Sequence, residues 1–274
     1  MSKTAPARPA ATKRTGPAEK LTEPPHAQRL ARLAETLRGL SGGTSGVAGL
    51  LVTNPKDVGY LTGFLGGDSY LLVPADLGVS RTTIPTLISD FRYKEELEPV
   101  EAANVARVFI RSNSMTEAVA EVLLAFFAQG GIDADARVGV QAEHMTIAEK
   151  ATIARRLGAG GKGRLADTTS LVARQRLIKD AFEIGLIRKA AKLQEAALEA
   201  VLSTIKPGHT ELEIAARLEA EMKSRGSSEP GFQTIVAAGP NSSLPHYRPG
   251  PKKLAAGKPV LIDWGAVYRG YHSD

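Results

Sequence analysis

Between residues 26 and 168 two hydrophobic periods take turns, and that alternation narrows the possible folds more than any other feature of the chain. Leu30, Leu33, Leu37 and Leu40 recur at three- and four-residue spacing, the stripe of an amphipathic helix over residues 26–40 with Gly42-Gly43 as its stop. Val47 to Thr53 is a short apolar run closed by Asn54-Pro55, a strand with a turn after it. Tyr70 to Val73, Thr83 to Ser89 and Val105 to Ile110 read as three more strands, residues 115–128 as a helix, 137–141 as a strand and 145–158 as a helix. Strands that alternate with helices can bury both faces of a sheet, so residues 26–170 are expected to form an α/β layer domain.

The rest of the chain divides around this domain. Residues 1–25 hold five Lys/Arg against Glu19 and Glu23, together with five of the sixteen prolines and almost nothing large and apolar. Such a segment cannot bury enough surface to offset its ordering, so it is read as a disordered, basic, solubilising tail. It accounts for half of the formal charge of +6, and the remainder shows no basic stripe and few aromatics, which argues against a nucleic-acid partner. No apolar run has the roughly 18–20 residues a membrane span needs. The sequence has no cysteine. Disulfides, thiolate metal sites and cysteine nucleophiles are thereby excluded, and any metal must be held by Asp, Glu or His. A cysteine-free chain with no secretory apolar segment fits the reducing cytoplasm, the expected location.

After a boundary near 169–176, one long helix is expected over about 175–206, with Ile184, Ile187, Ala191, Leu198, Val201 and Ile205 on its buried face and Pro207-Gly208 as its stop. Thr210-x-x-Glu213 is a capping box opening a helix over 211–225. Strands are expected at 232–238 and 259–268.

Two clusters there can carry chemistry. In Val260-Leu261-Ile262-Asp263 through Asp274, Arg269-Gly270 reads as a two-residue hairpin turn. Pairing Tyr268 with Tyr271 sets Asp274 opposite Gly265, on the same face as Asp263, because side chains repeat every two residues along a strand. Adjacent, partly buried carboxylates repel unless they share a proton or a cation, so a divalent metal site is the sharper reading. From spacing alone, two ordinary Asp residues beside a turn is the simpler one. The second cluster is the Gly/Pro/Asn/Ser loop after Ile235 that presents His246 between Pro245 and Pro249. His246 reads either as a surface residue or as a donor to a developing oxyanion. His26, His144, His209 and His272 are expected to be structural or solvent-exposed, with His272 out of phase with Asp274.

Taken together, these segments resemble the creatinase/aminopeptidase P/prolidase family of pita-bread metallopeptidases, most closely its Xaa-Pro aminopeptidase branch. Leu51-Val52-Thr53-Asn54-Pro55, Tyr60-Leu61-Thr62-Gly63-Phe64 and Asp90-Phe91-Arg92-Tyr93 are similar to a creatinase-type N-terminal domain. Ile178-Lys179-Asp180 with Glu183-Ile184 and Ile187-Arg188, Pro207-Gly208 with Thr210-Glu211, Leu244-Pro245-His246, Asp263-Trp264-Gly265 and Gly270-Tyr271 with Ser273-Asp274 are similar to the first half of the catalytic domain, over 176–274. The resemblance implies two divalent ions, manganese first, with cobalt or zinc as alternatives. They are held by two Asp, one His and two Glu, with a metal-bridging hydroxide as nucleophile. It implies that Asp263 and Asp274 are the two Asp ligands and that His246 is a substrate-side catalytic group and not a ligand. The implied substrates are peptides with proline at the second position, and the implied assembly is a homodimer. The family's other three ligands have no counterpart in these 274 residues, so the chain is expected to be an N-terminal fragment, inactive as it stands. A prolidase or creatinase-like hydrolase and a non-catalytic binding module on the same fold are the alternatives.

Overall fold

Helix α1 (His26–Leu40) buries Leu30, Leu33 and Leu37 on one side, and everything that follows to residue 168 is layered around the sheet this stripe covers. The structure is a computed structural model that describes residues 24–40, 46–77, 83–129, 132–158 and 161–274. All of the expected tail but Pro24 and Pro25, and the Gly42-Gly43 stop, lie outside the described residues.

The sheet contains β1 (Val47–Val52), β2 (Tyr70–Pro74), β3 (Thr86–Asp90), β4 (Arg107–Arg111), β5 (Arg137–Gln141) and β6 (Leu165–Thr168), in the order β4-β3-β2-β1-β5-β6. β1, β2 and β3 pair antiparallel, while β3/β4, β1/β5 and β5/β6 are parallel. Alternation along the strands sorts side chains to two cores. Leu50, Val52, Leu71, Val73 and Leu87 face α1, α2 (Pro55–Thr62), α3 (Lys94–Ala102) and α7 (Leu171–Leu177). Leu51, Leu72, Ile88, Val138 and Val140 face α4 (Met115–Phe127) and α5 (Ile147–Arg156). A single turn, α6 (Gly161–Arg164), leads into β6.

Two expectations about helices need correction. Asn54-Pro55 opens a helix, α2, and not only a turn. The Asn54 side chain accepts from the Lys56 N–H, Pro55 occupies the first turn where its missing N–H costs nothing, and Gly63 closes the helix at φ 81°. The expected helix over 175–206 is two helices. α7 ends at Leu177, and Asp180 caps a new helix, α8 (Ala181–Leu202), through a reciprocal capping box with Glu183. The buried face of α8 is accordingly offset from the expected one. It carries Glu183, Leu186, Ala190, Leu193, Gln194, Ala197 and Val201, and Ile184 is left exposed.

α8 and α9 (Glu211–Ser224) pack on two short ribbons, β7 (Ile235–Ala238) with β8 (Val260–Asp263) and β9 (Val267–Tyr268) with β10 (Tyr271–His272). The Thr210/Glu213 capping box forms as expected.

One buried cation joins the two halves. Arg29, 1% exposed on α1, donates from Nε and Nη2 to Asp180 Oδ2 (3.0 and 2.8 Å) and from Nη1 to the Tyr60 carbonyl (2.7 Å), with its guanidinium 4.0 Å over the Tyr60 ring. Its Nη2 also lies 3.5 Å from Glu183 Oε2, and the other oxygen of Glu183 accepts from the Tyr271 hydroxyl on β10 at 3.2 Å. Burial, with the Glu183 charge, pushes that hydroxyl up to about 12, so it remains a donor at neutral pH.

Candidate functional site

The apolar run Val260-Leu261-Ile262 pairs with β7 in the register Ile235↔Asp263, Val236↔Ile262, Ala237↔Leu261 and Ala238↔Val260. The expected strand over 259–268 does not run through. Asp263 partners Ile235, but the next bridge joins Ala266 to Pro230, so three positions on one side span five on the other. The ladder is bulged at residues 231–234, where the Phe232 ring packs so closely on Gly265 that a Cβ there would lie 2.8 Å from Phe232 Cε1.

Beyond the bulge the hairpin has the expected register. Arg269 (φ 49°) and Gly270 (φ 79°) form the two-residue turn, Tyr271 pairs with Tyr268, and His272 pairs with Val267. Ser273 N–H donates to the Ala266 carbonyl at 2.9 Å, and Ser273 Oγ accepts from Ala266 N–H at 2.9 Å. This register brings Asp274 to the position opposite Gly265, two residues along the chain from Asp263. The approach is tight: a Cβ on Gly265 would stand 2.3 Å from the Ser273 carbonyl oxygen, so only glycine fits.

Asp263 is half-buried and Asp274 exposed. Among the described residues neither carboxylate has a hydrogen-bond or ion-pair partner. Unpartnered carboxylates in this register suit a hard divalent cation, but only as part of a ligand set. Among the described residues no group of three or more His, Asp or Glu could hold a metal, and His246, Asp263 and Asp274 do not form one.

His246 stands apart, on the loop after the 3-10 segment Gly239–Ser243. It is exposed, its backbone is left-handed at φ 52°, and among the described residues its ring has no partner. The other four histidines are engaged, His26 at the Tyr60 carbonyl, His144 at Thr53 Oγ1, His209 at the Lys206 N–H and His272 at the Gly231 carbonyl.

Sequence reasoning missed the group that holds the His246 loop. Glu211, the first residue of α9, has no solvent exposure. Its Oε1 accepts from Ala238 N–H (2.8 Å) and Asn241 Nδ2 (2.9 Å), and its Oε2 from the Tyr247 hydroxyl (2.8 Å) and Gly250 N–H (3.2 Å). Burial pushes the Glu211 carboxyl up, but these four hydrogen bonds outweigh it and hold the group below the usual carboxylate range. Periodicity gives no sign of such an acceptor. The one available signal was an acidic residue directly after a helix cap and ahead of a Gly/Pro-rich loop.

Residues 29–178 match the creatinase/prolidase N-terminal domain family and residues 185–274 match metallopeptidase family M24. The chain is 32% identical over 240 residues to an uncharacterized peptidase of Bacillus subtilis, covering 88% of this chain and 62% of that one. It is 41% identical over 99 residues to the Xaa-Pro dipeptidase of Pyrococcus horikoshii, covering 36% of this chain and 28% of that one. Among solved structures, the Xaa-Pro dipeptidase from Bacillus anthracis superposes with a TM-score of 0.74 at 27% identity, covering 90% of this chain and 63% of that one. The X-Pro aminopeptidase from Thermotoga maritima superposes with a TM-score of 0.68 at 25% identity, covering 82% and 60%. The chain thus spans somewhat over 60% of the Bacillus subtilis and Bacillus anthracis relatives. With a layered α/β domain followed by the first ribbons and helices of a pita-bread domain, it belongs to the creatinase/prolidase family of M24 metallopeptidases, whose members use divalent metal ions.

Proposed function

We propose that this chain carries the N-terminal domain and the first metal-binding strands of a manganese-dependent Xaa-Pro aminopeptidase, cytoplasmic and dimeric when complete. The observation that supports this most is the hairpin register, which carries Asp274 toward Gly265, two residues along the chain from Asp263, with neither carboxylate partnered among the described residues. Asp263 and Asp274 would supply oxygen ligands. Bound divalent ions would provide Lewis-acid activation of water and of the peptide carbonyl. His246 would donate a hydrogen bond to the carbonyl oxygen as negative charge grows on it. Among the described residues no helix is long and apolar enough to cross a membrane.

Prolidase is the second reading, favoured by the Xaa-Pro dipeptidases among the relatives. Substrate length separates the two. In a form carrying all five ligands, manganese-dependent release of the first residue from Xaa-Pro tripeptides supports the aminopeptidase. Cleavage of dipeptides alone supports prolidase, and turnover of neither supports a binding module. The 274 residues alone, with two carboxylate ligands, are expected to hydrolyse no Xaa-Pro peptide. Manganese-dependent turnover above a buffer blank would overturn that expectation.

A further inference from the structure

We propose that Glu211 is a positioning residue that sets the placement of His246 by clamping both ends of its loop. The inference rests on the reading of His246 as the substrate-side group. Two of the four donors to Glu211, Ala238 N–H and Asn241 Nδ2, precede His246, and two, the Tyr247 hydroxyl and Gly250 N–H, follow it. Asn241 Nδ2 also donates to the Tyr247 oxygen at 2.7 Å, which ties the two sides together across the loop.

A buried carboxylate without a matching cation is costly unless hydrogen bonds replace its lost water. Here every replacing bond comes from the end of β7 or from the loop. Ordering the loop and keeping Glu211 ionised are therefore one event. Glu211 is itself fixed, because its N–H donates to the Lys252 carbonyl at 3.0 Å, the Leu212 N–H to Gly250 at 3.1 Å, and the Thr210/Glu213 box caps the helix it begins. His246 has no other anchor among the described residues. Its ring is unpartnered and its left-handed backbone is a conformation that persists only where the surroundings impose it. The next residue, Tyr247, is the one Glu211 grips through its hydroxyl.

The test substitutes Glu211→Gln, which keeps the size and removes the charge. Whichever way the new amide turns, its NH2 faces a backbone N–H, that of Ala238 or of Gly250, and one of the two loses its acceptor. With ring-labelled histidine in the 274-residue chain, the His246 signal, assigned through His246→Gln, is expected to sharpen and move toward the free-histidine position. The His26 and His144 signals should stay in place. The orphaned amide should exchange about tenfold faster, the loss of roughly one hydrogen bond. Tyr247→Phe removes one donor to Glu211 and the acceptor of one Asn241 Nδ2 bond, leaves both backbone bonds to Glu211 in place, and should move His246 in the same direction by less. An unmoved His246 signal in both folded variants would overturn the proposal. These spectra read placement and not turnover, so a failure of the catalytic reading of His246 would show separately, as undiminished turnover of a His246→Ala form that carries all five ligands.

Discussion

Arg29→Met should be among the most destabilising single changes available in this chain. Methionine keeps an unbranched apolar stem, so the loss is confined to the charge, its hydrogen bonds and the stacking of the guanidinium on Tyr60. The guanidinium makes two bonds to Asp180 and one to the Tyr60 carbonyl, and lies 3.5 Å from Glu183. The Glu183 side chain is only 3% exposed, so without Arg29 it remains a buried carboxylate with no other cation beside it among the described residues. Breaking a buried pair from one side costs about 3–5 kcal/mol. The Asp180 side chain, 23% exposed, can recover some water, which places the expected loss near the lower end, about 3 kcal/mol. With a urea slope of about 2–3 kcal/mol/M for a chain of this size, the midpoint followed by circular dichroism should fall by roughly 1 M. Arg225→Met is the control. Its pair with Glu221 is a partly exposed i,i+4 contact at 3.1 Å, and its loss should cost about 0–1 kcal/mol. If Arg29→Met shifts the midpoint no further than Arg225→Met does, the buried joint contributes nothing and the reasoning fails.

Three further outcomes are expected. Gly265→Ala drives a Cβ to 2.3 Å from the Ser273 carbonyl, so it should cost about 1–3 kcal/mol and perturb the fluorescence of Trp264, the single tryptophan; an unchanged midpoint and spectrum would mean the strands are not that close. The Glu211 carboxyl is held below its unfolded value of about 4.3, so its contribution is fully present above that pH and is lost as pH falls through the lower folded value. Tyr247, the titratable group facing it, should therefore give ring signals that hold constant from pH 7 to about 5, and a transition midpoint at or above about 4.3 would contradict the clamp. Limited proteolysis should leave a resistant core near residues 26–170, because the short ribbons beyond it keep uncovered edges and exposed apolar groups such as Leu261; a resistant fragment running cleanly to Asp274 would argue against that division.

The layered half was largely legible because its signals are local. The stripe of α1 and the runs of β1, β2 and β5 are set by side chains within one element, and the structure places them within a residue or two of the expected bounds. Caps were the weak point. Asn54 and Asp180 both start helices in the structure, yet the first was read as a turn and the second was submerged in one long apolar pattern. The hairpin register followed from a two-residue turn and a period of two, and it holds from Ala266 to Ser273. The break before it was not legible, since it arises from the Phe232 ring packing on Gly265 across the ribbon. Arg29 and Glu211 were missed for a shared reason. Each is a charged residue whose partners lie far along the chain, at Asp180 and at residues 238–250, and spacing within one element does not report such contacts.

The central claim is that Asp263 and Asp274 hold metal while His246 serves the substrate, and manganese binding tests it most directly. Titrated with manganese and followed by its paramagnetic signal, the 274-residue chain should bind weakly, as two carboxylate ligands allow. Asp263→Asn and Asp274→Asn should each abolish that binding, and His246→Ala should leave it unchanged. Binding that survives both Asp substitutions, or that disappears in His246→Ala, would contradict the account.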